Sequence, residues 1–255
     1  MLQDLIKYYE KDCDEENRLQ KDNAHKIEFL TSVKYFEQYF TPNSKILDAC
    51  AGTGIYSFFL AEKGHSVTSG DIVPYNVSII LDKQRKNPIL SNVYTGDVLD
   101  LSRFEPNSFD VVLCMGALYH LQTIEQRDKA ISECLRVLKT GGIIVVAYIN
   151  KKATALDILN HNLSNMDEIL EYHSSGIISQ FYGTTPEEIE LSMNKFTIDK
   201  LSNIGSDGLW FLLKDKINNA SENNFHKWLK YYWTLCEDEN TLGYSLHGLF
   251  FGKKT

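Results

Sequence analysis

Two glycines and three aspartates in this chain are spaced for chemistry. The stretch ILDACAGTGIYS, residues 46–57, begins as an apolar run and then gives up its side chains at Gly52 and Gly54. Glycine at such a turn lets the backbone enter left-handed conformations and lets another molecule come against backbone N–H groups. If Gly54 opens a helix, the unpaired N–H groups of its first turn face the same way. Asp48 precedes this turn, while Asp71 and Asp97 end the stretches HSVTSGD and NVYTGD. A further apolar run, FDVVLCM at 109–115, leads into GALYHL with Tyr119 and His120. Ionised carboxylates are acceptors only, and a histidine with its ordinary pKa of about 6.5 suits proton removal near neutrality. The glycine turn alone does not decide what binds, since GTGIYS also resembles a degraded GxGxxG dinucleotide fingerprint, and many tight turns need glycine for sterics only.

Such residues need a frame. KILDAC (45–50), HSVTSGD (65–71), NVYTGD (92–97), FDVVLCM (109–115) and GIIVVAY (142–148) read as strands, the last two almost continuously apolar, as in buried parallel sheets. Helical stretches at 54–63, 74–86 and 123–139 alternate with them, which predicts a parallel sheet covered on both faces. Right-handed crossovers then put every strand's C-terminal end on one edge, where ligands of such sheets bind. Residues 1–40 read as helical, with an apolar face of Ile27, Leu30, Val33, Tyr35, Phe36, Tyr39 and Phe40 that ends before Pro42. Beyond Tyr148, residues 151–194 hold no strand of comparable strength and 209–240 read as helical. KFTIDKLSNIG (195–205) and YSLHGLFFG (244–252) are candidate partners across that block. In FHKWLKYYWTLC, Trp228, Tyr231, Tyr232 and Leu235 form one helical stripe, a core face or a pocket wall.

Bulk properties narrow the partners. The chain has 255 residues, 43% hydrophobic and 24% charged, enough to bury the core of one large domain. The net charge of -8 disfavours nucleic acid. Five cysteines lie singly, without metal-ligand spacing, and read as reduced thiols. The charged N-terminus is unlike a signal peptide, and no apolar run approaches the roughly 20 residues of a membrane span. The expectation is a cytoplasmic protein, monomer or homodimer, without metal or membrane.

LDACAGTG, VTSGD, TGDVLDL, FDVVLCMGALYHL and ECLRVLKTGG, in this order and spacing over residues 45–148, resemble the motif series of class I S-adenosylmethionine-dependent methyltransferases. The resemblance implies a Rossmann-like α/β fold: a seven-stranded, mostly parallel sheet with helices on both faces and an antiparallel last strand. Residues 1–40 would be a helical lid, 41–150 the cofactor core, and 151–194 with 206–243 cap insertions of a single domain spanning 1–255. It implies S-adenosyl-L-methionine as cofactor, S-adenosyl-L-homocysteine as product and a small-molecule methyl acceptor. Asp48 would order the turn or attract the methionine portion, while Ala51, Gly52 and Gly54 let the backbone approach. Asp71 would accept from the ribose hydroxyls, with a helix cap before Pro74 as its other reading. Asp97 would accept from the adenine amino group beside the Val98 N–H, or merely form a turn. Met115 and Gly116 would line the methionine end, and Tyr119 and His120 would face the acceptor, His120 as a base or a structural residue. Tyr8, Tyr9 and Arg18 are lid candidates, Arg18 being able to pair with the cofactor's carboxylate. Cys50 departs from the family's glycine and reads as a small hydrophobe. An RNA or protein methyltransferase, a nicotinamide enzyme and a non-catalytic nucleotide binder remain alternatives; Ser57, where a third glycine would lie, speaks against the nicotinamide enzyme.

Overall fold

The structure, a computed structural model, describes residues 2–255. A short helix α1 (Leu2–Lys7) runs into a π-helical turn, Tyr8–Asp12, and an irregular stretch leads to α2 (Asn23–Tyr39). The expected helical segment 1–40 is thus two helices joined by a partly irregular strap. The strap ends where Asp22 caps α2, its Oδ1 accepting from the His25 N–H at 2.9 Å.

The alternation then follows: β1 (Lys45–Asp48), α3 (Ile55–Glu62), β2 (Ser66–Asp71), α4 (Pro74–Lys86), β3 (Asn92–Thr95), β4 (Phe109–Cys114), α5 (Ile124–Val137) and β5 (Leu138–Asn150). Thr123 and Gln126 close a reciprocal capping box at the start of α5. The cap region contributes α6 (Lys151–His161), α7 (Met166–Ser175), a small hairpin of β6 (Ile177–Ile178) and β7 (Phe181–Thr184), and α8 (Pro186–Met193). The chain closes with β8 (Ile198–Gly205), α9 (Trp210–Asn218), α10 (Glu222–Tyr232), α11 (Glu239–Leu242) and β9 (His247–Lys254).

Seven strands pair in the order β3-β2-β1-β4-β5-β9-β8, parallel from β3 to β5, with β9 antiparallel to both of its neighbours. This is the expected sheet, and the hairpin across the last helical block is its closing pair. Two short strands are added: β7 pairs with the far end of β5 at Ile149 and Asn150, and β6 pairs with β7.

Successive residues of one strand go to opposite cores, which is why these strands read as continuous apolar runs. Ile46, Val111, Leu113, Val145 and Phe251 join α2, α3, α9 and α10 in one core. Leu47, Val112, Cys114, Val146 and Phe250 join α5 and α8 in the other. On α10 the buried stripe is Phe225, Leu229 and Tyr232, continuing to Cys236, whereas Tyr231 is 62% exposed. The expected stripe through Tyr231 is thus rotated by about one residue; both patterns have helical spacing, and packing on the sheet selects between them. No helix among the described residues is long and apolar enough to cross a membrane.

Candidate functional site

The strand-to-helix turn after β1 is built as a cradle. Gly52 and Gly54 take φ of +54° and +86°, and Gly54 is the N-cap of α3. A Cβ at Gly54 would be strained and would stand 3.1 Å from Ile80. Beneath the turn, Asp48 is 1% exposed and accepts from Ser57 Oγ at 2.6 Å, with Ser69 Oγ a further 2.7 Å from that hydroxyl. Burial raises the Asp48 carboxyl to about 7 against the pull of Ser57, and the nearby Asp71 adds to the rise. Asp48 and Gly54 shape the turn without reaching the wall of the cleft above it.

That cleft, with about 840 Å³ of empty space, opens at the C-terminal edge of the parallel strands. Ala51, Gly52, Asp71, Asp97, Val98, Met115 and Gly116 all line it, and so do Tyr119, His120, Tyr9 and Arg18. The sequence-predicted residues thus come together from four strand ends and from the strap.

Asp71 is tied into the cradle from both sides. Its Oδ2 accepts the Gly52 N–H at 2.8 Å, and its Oδ1 accepts the Val73 N–H at 2.8 Å and Asn76 Nδ2 at 3.2 Å. Burial pushes its carboxyl up to about 6; these donors pull it down, and the charge of Glu15 adds to the rise. One acceptor position remains on Oδ2. On the same wall, the buried Oδ1 of Asn76 has no partner. Two neighbouring acceptors suit a group with vicinal hydroxyls. Asp97 accepts the Leu99 N–H through Oδ1 at 2.9 Å. Its second oxygen makes no protein hydrogen bond among the described residues, which leaves it for a donor from the cleft.

The far end of the cleft is aromatic. Tyr9 Oη lies 2.9 Å from His120 Nε2, and the two rings meet edge to face with centroids 5.6 Å apart. Phe181, from β7, packs on His120 at 5.1 Å and on Tyr8 at 5.7 Å. Burial depresses the His120 imidazole to about 4, with the Gln180 backbone opposing, so the ring is neutral at physiological pH. Burial also raises the Tyr9 and Tyr119 phenols, which remain protonated.

Arg18 stands at the strap's entry to the cleft. Its Nη1 and Nη2 donate to Glu28 at 2.7 and 3.3 Å, and its Nε donates to Glu15 at 3.2 Å. Behind Glu28, His247 Nδ1 is 3.6 Å from Glu28 and 2.7 Å from Asp207. Although burial opposes it, Arg18 and His247 hold the Glu28 carboxyl below its usual range. Glu28, Asp207 and His247 offer three metal-ligand atoms within 4.8 Å of one another. Asp207 already accepts from Ser245, Trp210 and both the backbone and ring of His247, so this cluster works as an ion-pair network anchoring Arg18.

Sequence reasoning passed over Asn76, Glu15 and Phe181. Asn76 had a signal, an amide five residues beyond Asp71 in the first turn of the next helix. Glu15 and Phe181 had none, because the strap and the β6–β7 hairpin reach the site through tertiary packing rather than through strand-end spacing.

Residues 47–146 match the family described as a methyltransferase domain. This span holds the cradle, Asp71, Asp97 and the β4 loop. By that match this span is a methyltransferase domain. Over 104 residues it is 36% identical to a glycine/sarcosine N-methyltransferase of Aphanothece halophytica, covering 40% of this chain and 39% of that protein. Over 114 residues it is 29% identical to a ubiquinone biosynthesis O-methyltransferase of Xanthomonas campestris, covering 45% of this chain and 46% of the relative. The chain spans less than half the length of these curated relatives. Among solved structures, a SAM-dependent methyltransferase from Methanosarcina mazei superposes with a TM-score of 0.59 at 17% identity, covering 86% of this chain and 96% of that one. The magnesium protoporphyrin IX methyltransferase of Synechocystis, solved with bound SAH, gives 0.58 at 13% identity, over 91% of this chain and 83% of that one. These superpositions extend the shared fold beyond residues 47–146.

Proposed function

We propose that the chain is an S-adenosylmethionine-dependent methyltransferase acting on a small-molecule acceptor. One observation carries this reading: the glycine cradle, the Asp71 and Asn76 acceptors, and Asp97 with Val98 line one cleft at the C-terminal edge of the sheet, in the order a nucleoside with an amino-acid tail requires. Asp71 and Asn76 would hold the ribose, Asp97 and Val98 the adenine, and Met115 and Gly116 the methionine end, beside the turn at Gly52. Arg18 is a candidate for the cofactor's carboxylate.

The cofactor supplies a methyl group already activated by its sulfonium charge. The protein's remaining tasks are to align the acceptor and to exclude water. Tyr9 from the strap, Tyr119 and His120 from the β4 loop and Phe181 from the cap hairpin surround the aromatic end, and we assign acceptor positioning to them. A depressed imidazole is a weak base, so His120 acts chiefly as a hydrogen-bond partner of Tyr9. The acidic chain and the aromatic end of the cleft suit a compact acceptor better than a polynucleotide.

Isotopically labelled cofactor incubated with the protein and a metabolite extract should yield a labelled small molecule identifiable by mass spectrometry. Label found only in RNA or protein, or in nothing despite a saturated cofactor site, would contradict this reading.

A further inference from the structure

Glu15 stands directly over the glycine cradle. Its Oε1 is 3.2 Å from where a Cβ on Gly52 would lie, so glycine's missing side chain leaves room for a carboxylate of the strap. Glu15 and Arg18, three residues apart, both line the cleft and are paired with each other at 3.2 Å. Arg18 uses three of its five N–H donors on Glu15 and Glu28. Its side chain is 30% exposed and that of Glu15 is 19% exposed, so both remain within reach of a ligand. One short segment thus presents a carboxylate and a guanidinium side by side at the methionine end of the cleft.

We propose that Glu15 and Arg18 form a clasp for the zwitterionic amino-acid end of the cofactor, Glu15 accepting from its ammonium group and Arg18 pairing with its carboxylate. The proposal rests on the cofactor reading above. It goes beyond that reading by making strap closure and recognition of the amino-acid end one event. Electrostatics favour it, because Glu15 and Asp71 face the same space and repel each other, and a cation between them relieves the repulsion. The network behind Glu28 keeps Arg18 in place while its partners exchange. The bond between Arg18 and Glu15 loosens as each takes the complementary charge of the ligand.

Calorimetry with two ligands separates the clasp from the rest of the site: S-adenosylhomocysteine, and 5′-methylthioadenosine, which keeps the nucleoside and lacks the amino-acid end. Wild-type protein should bind the first far more tightly. Glu15→Gln should weaken S-adenosylhomocysteine about tenfold, the loss of one charged hydrogen bond, and leave 5′-methylthioadenosine within about twofold. Equal weakening of both ligands would reduce Glu15 to strap packing, and tighter S-adenosylhomocysteine binding would make it an obstruction; either result overturns the clasp. Limited trypsin digestion at Arg18 and Lys21 gives a second readout, independent of any variant's folding. S-adenosylhomocysteine should protect these sites and 5′-methylthioadenosine should not, whereas equal protection by both would overturn the coupling. If wild-type protein bound neither ligand, the cofactor reading itself would fall and the clasp with it; failure confined to Glu15→Gln would spare that reading.

Discussion

The motif-bearing half of the sheet and the N-terminal strap reach the same cleft by different physics. In the first, Asp71 and the cradle are placed by strand ends whose positions follow from parallel pairing, and Asp71 is locked by three hydrogen bonds. In the second, Tyr9, Glu15 and Arg18 are held by ring contacts of Tyr9 with Tyr8 and His120, a hydrogen bond to His120 and a set of ion pairs. A sheet edge is rigid and suits cofactor recognition. A segment held by charges and ring contacts can open, which suits admission and enclosure. Under the proposed function, the difference assigns recognition of the nucleoside to the first region, and capture of the amino-acid end and turnover to the second.

The sharpest way to break that assignment is Asp71→Ala. It removes a charged acceptor and leaves the Gly52 and Val73 N–H groups unpaired, so at about 1.5–3 kcal/mol per charged hydrogen bond the affinity for S-adenosylhomocysteine should fall at least about tenfold by calorimetry. Circular dichroism should show the sheet intact; unchanged affinity would remove Asp71 from the ribose role. Next in size, deleting the first 20 residues should lower turnover about tenfold or more while the sheet still folds, because alignment and water exclusion are lost. Full activity of the truncated protein, with turnover abolished in His120→Ala, would replace enclosure with base catalysis.

Proton linkage gives a third comparison. Asp48 and Asp71 have raised values of about 7 and about 6 in the folded chain. A raised carboxyl contributes stability that is full below its unfolded value and lost as pH rises through its folded value. The free protein should therefore lose melting temperature between pH 5 and pH 8. Cofactor binding runs the other way, since Asp71 must be ionised to accept a ribose hydroxyl on Oδ2 while it holds its three protein donors. Affinity for S-adenosylhomocysteine should drop by up to about tenfold from pH 7.5 to pH 5. A pH-independent affinity would mean that Asp71 stays ionised throughout or does not touch the ligand. The smallest effect belongs to Tyr9→Phe, which loses one exchangeable hydrogen bond to a neutral imidazole and should change turnover only about two- to fivefold. At saturating cofactor, which removes the contribution of Asp71 to binding, the pH profile of turnover should show no inflection near the ordinary histidine value, because His120 is held at about 4.

How far the sequence could be read follows the same division. Gly52, Asp71 and Asp97 were legible because parallel strands put their C-terminal ends on one edge, so that position in the chain becomes position in the site. The seven-stranded, mostly parallel sheet with its antiparallel last strand was legible through the motif resemblance, and the β8–β9 pair through its apolar pattern; the order of the strands was not read. Asp48 and Gly54 belonged to the same motif, yet they act beneath the turn, where spacing does not distinguish shaping a cradle from touching its occupant. Glu15 and Phe181 were invisible, since neither the charge-rich strap nor the two-residue strand β6 has a periodicity that announces where it packs. On α10 the helical period was read correctly and its rotation was not, because Tyr231 and Leu229 fit equally well until the sheet selects one face.

On the proposed function, this cleft is built for a nucleoside carrying an amino-acid tail. S-adenosylhomocysteine, and separately NAD, should therefore be titrated into the protein by calorimetry. Saturable one-site binding of S-adenosylhomocysteine with no comparable heat from NAD is expected; preferential binding of NAD, or binding of neither ligand, would overturn the assignment.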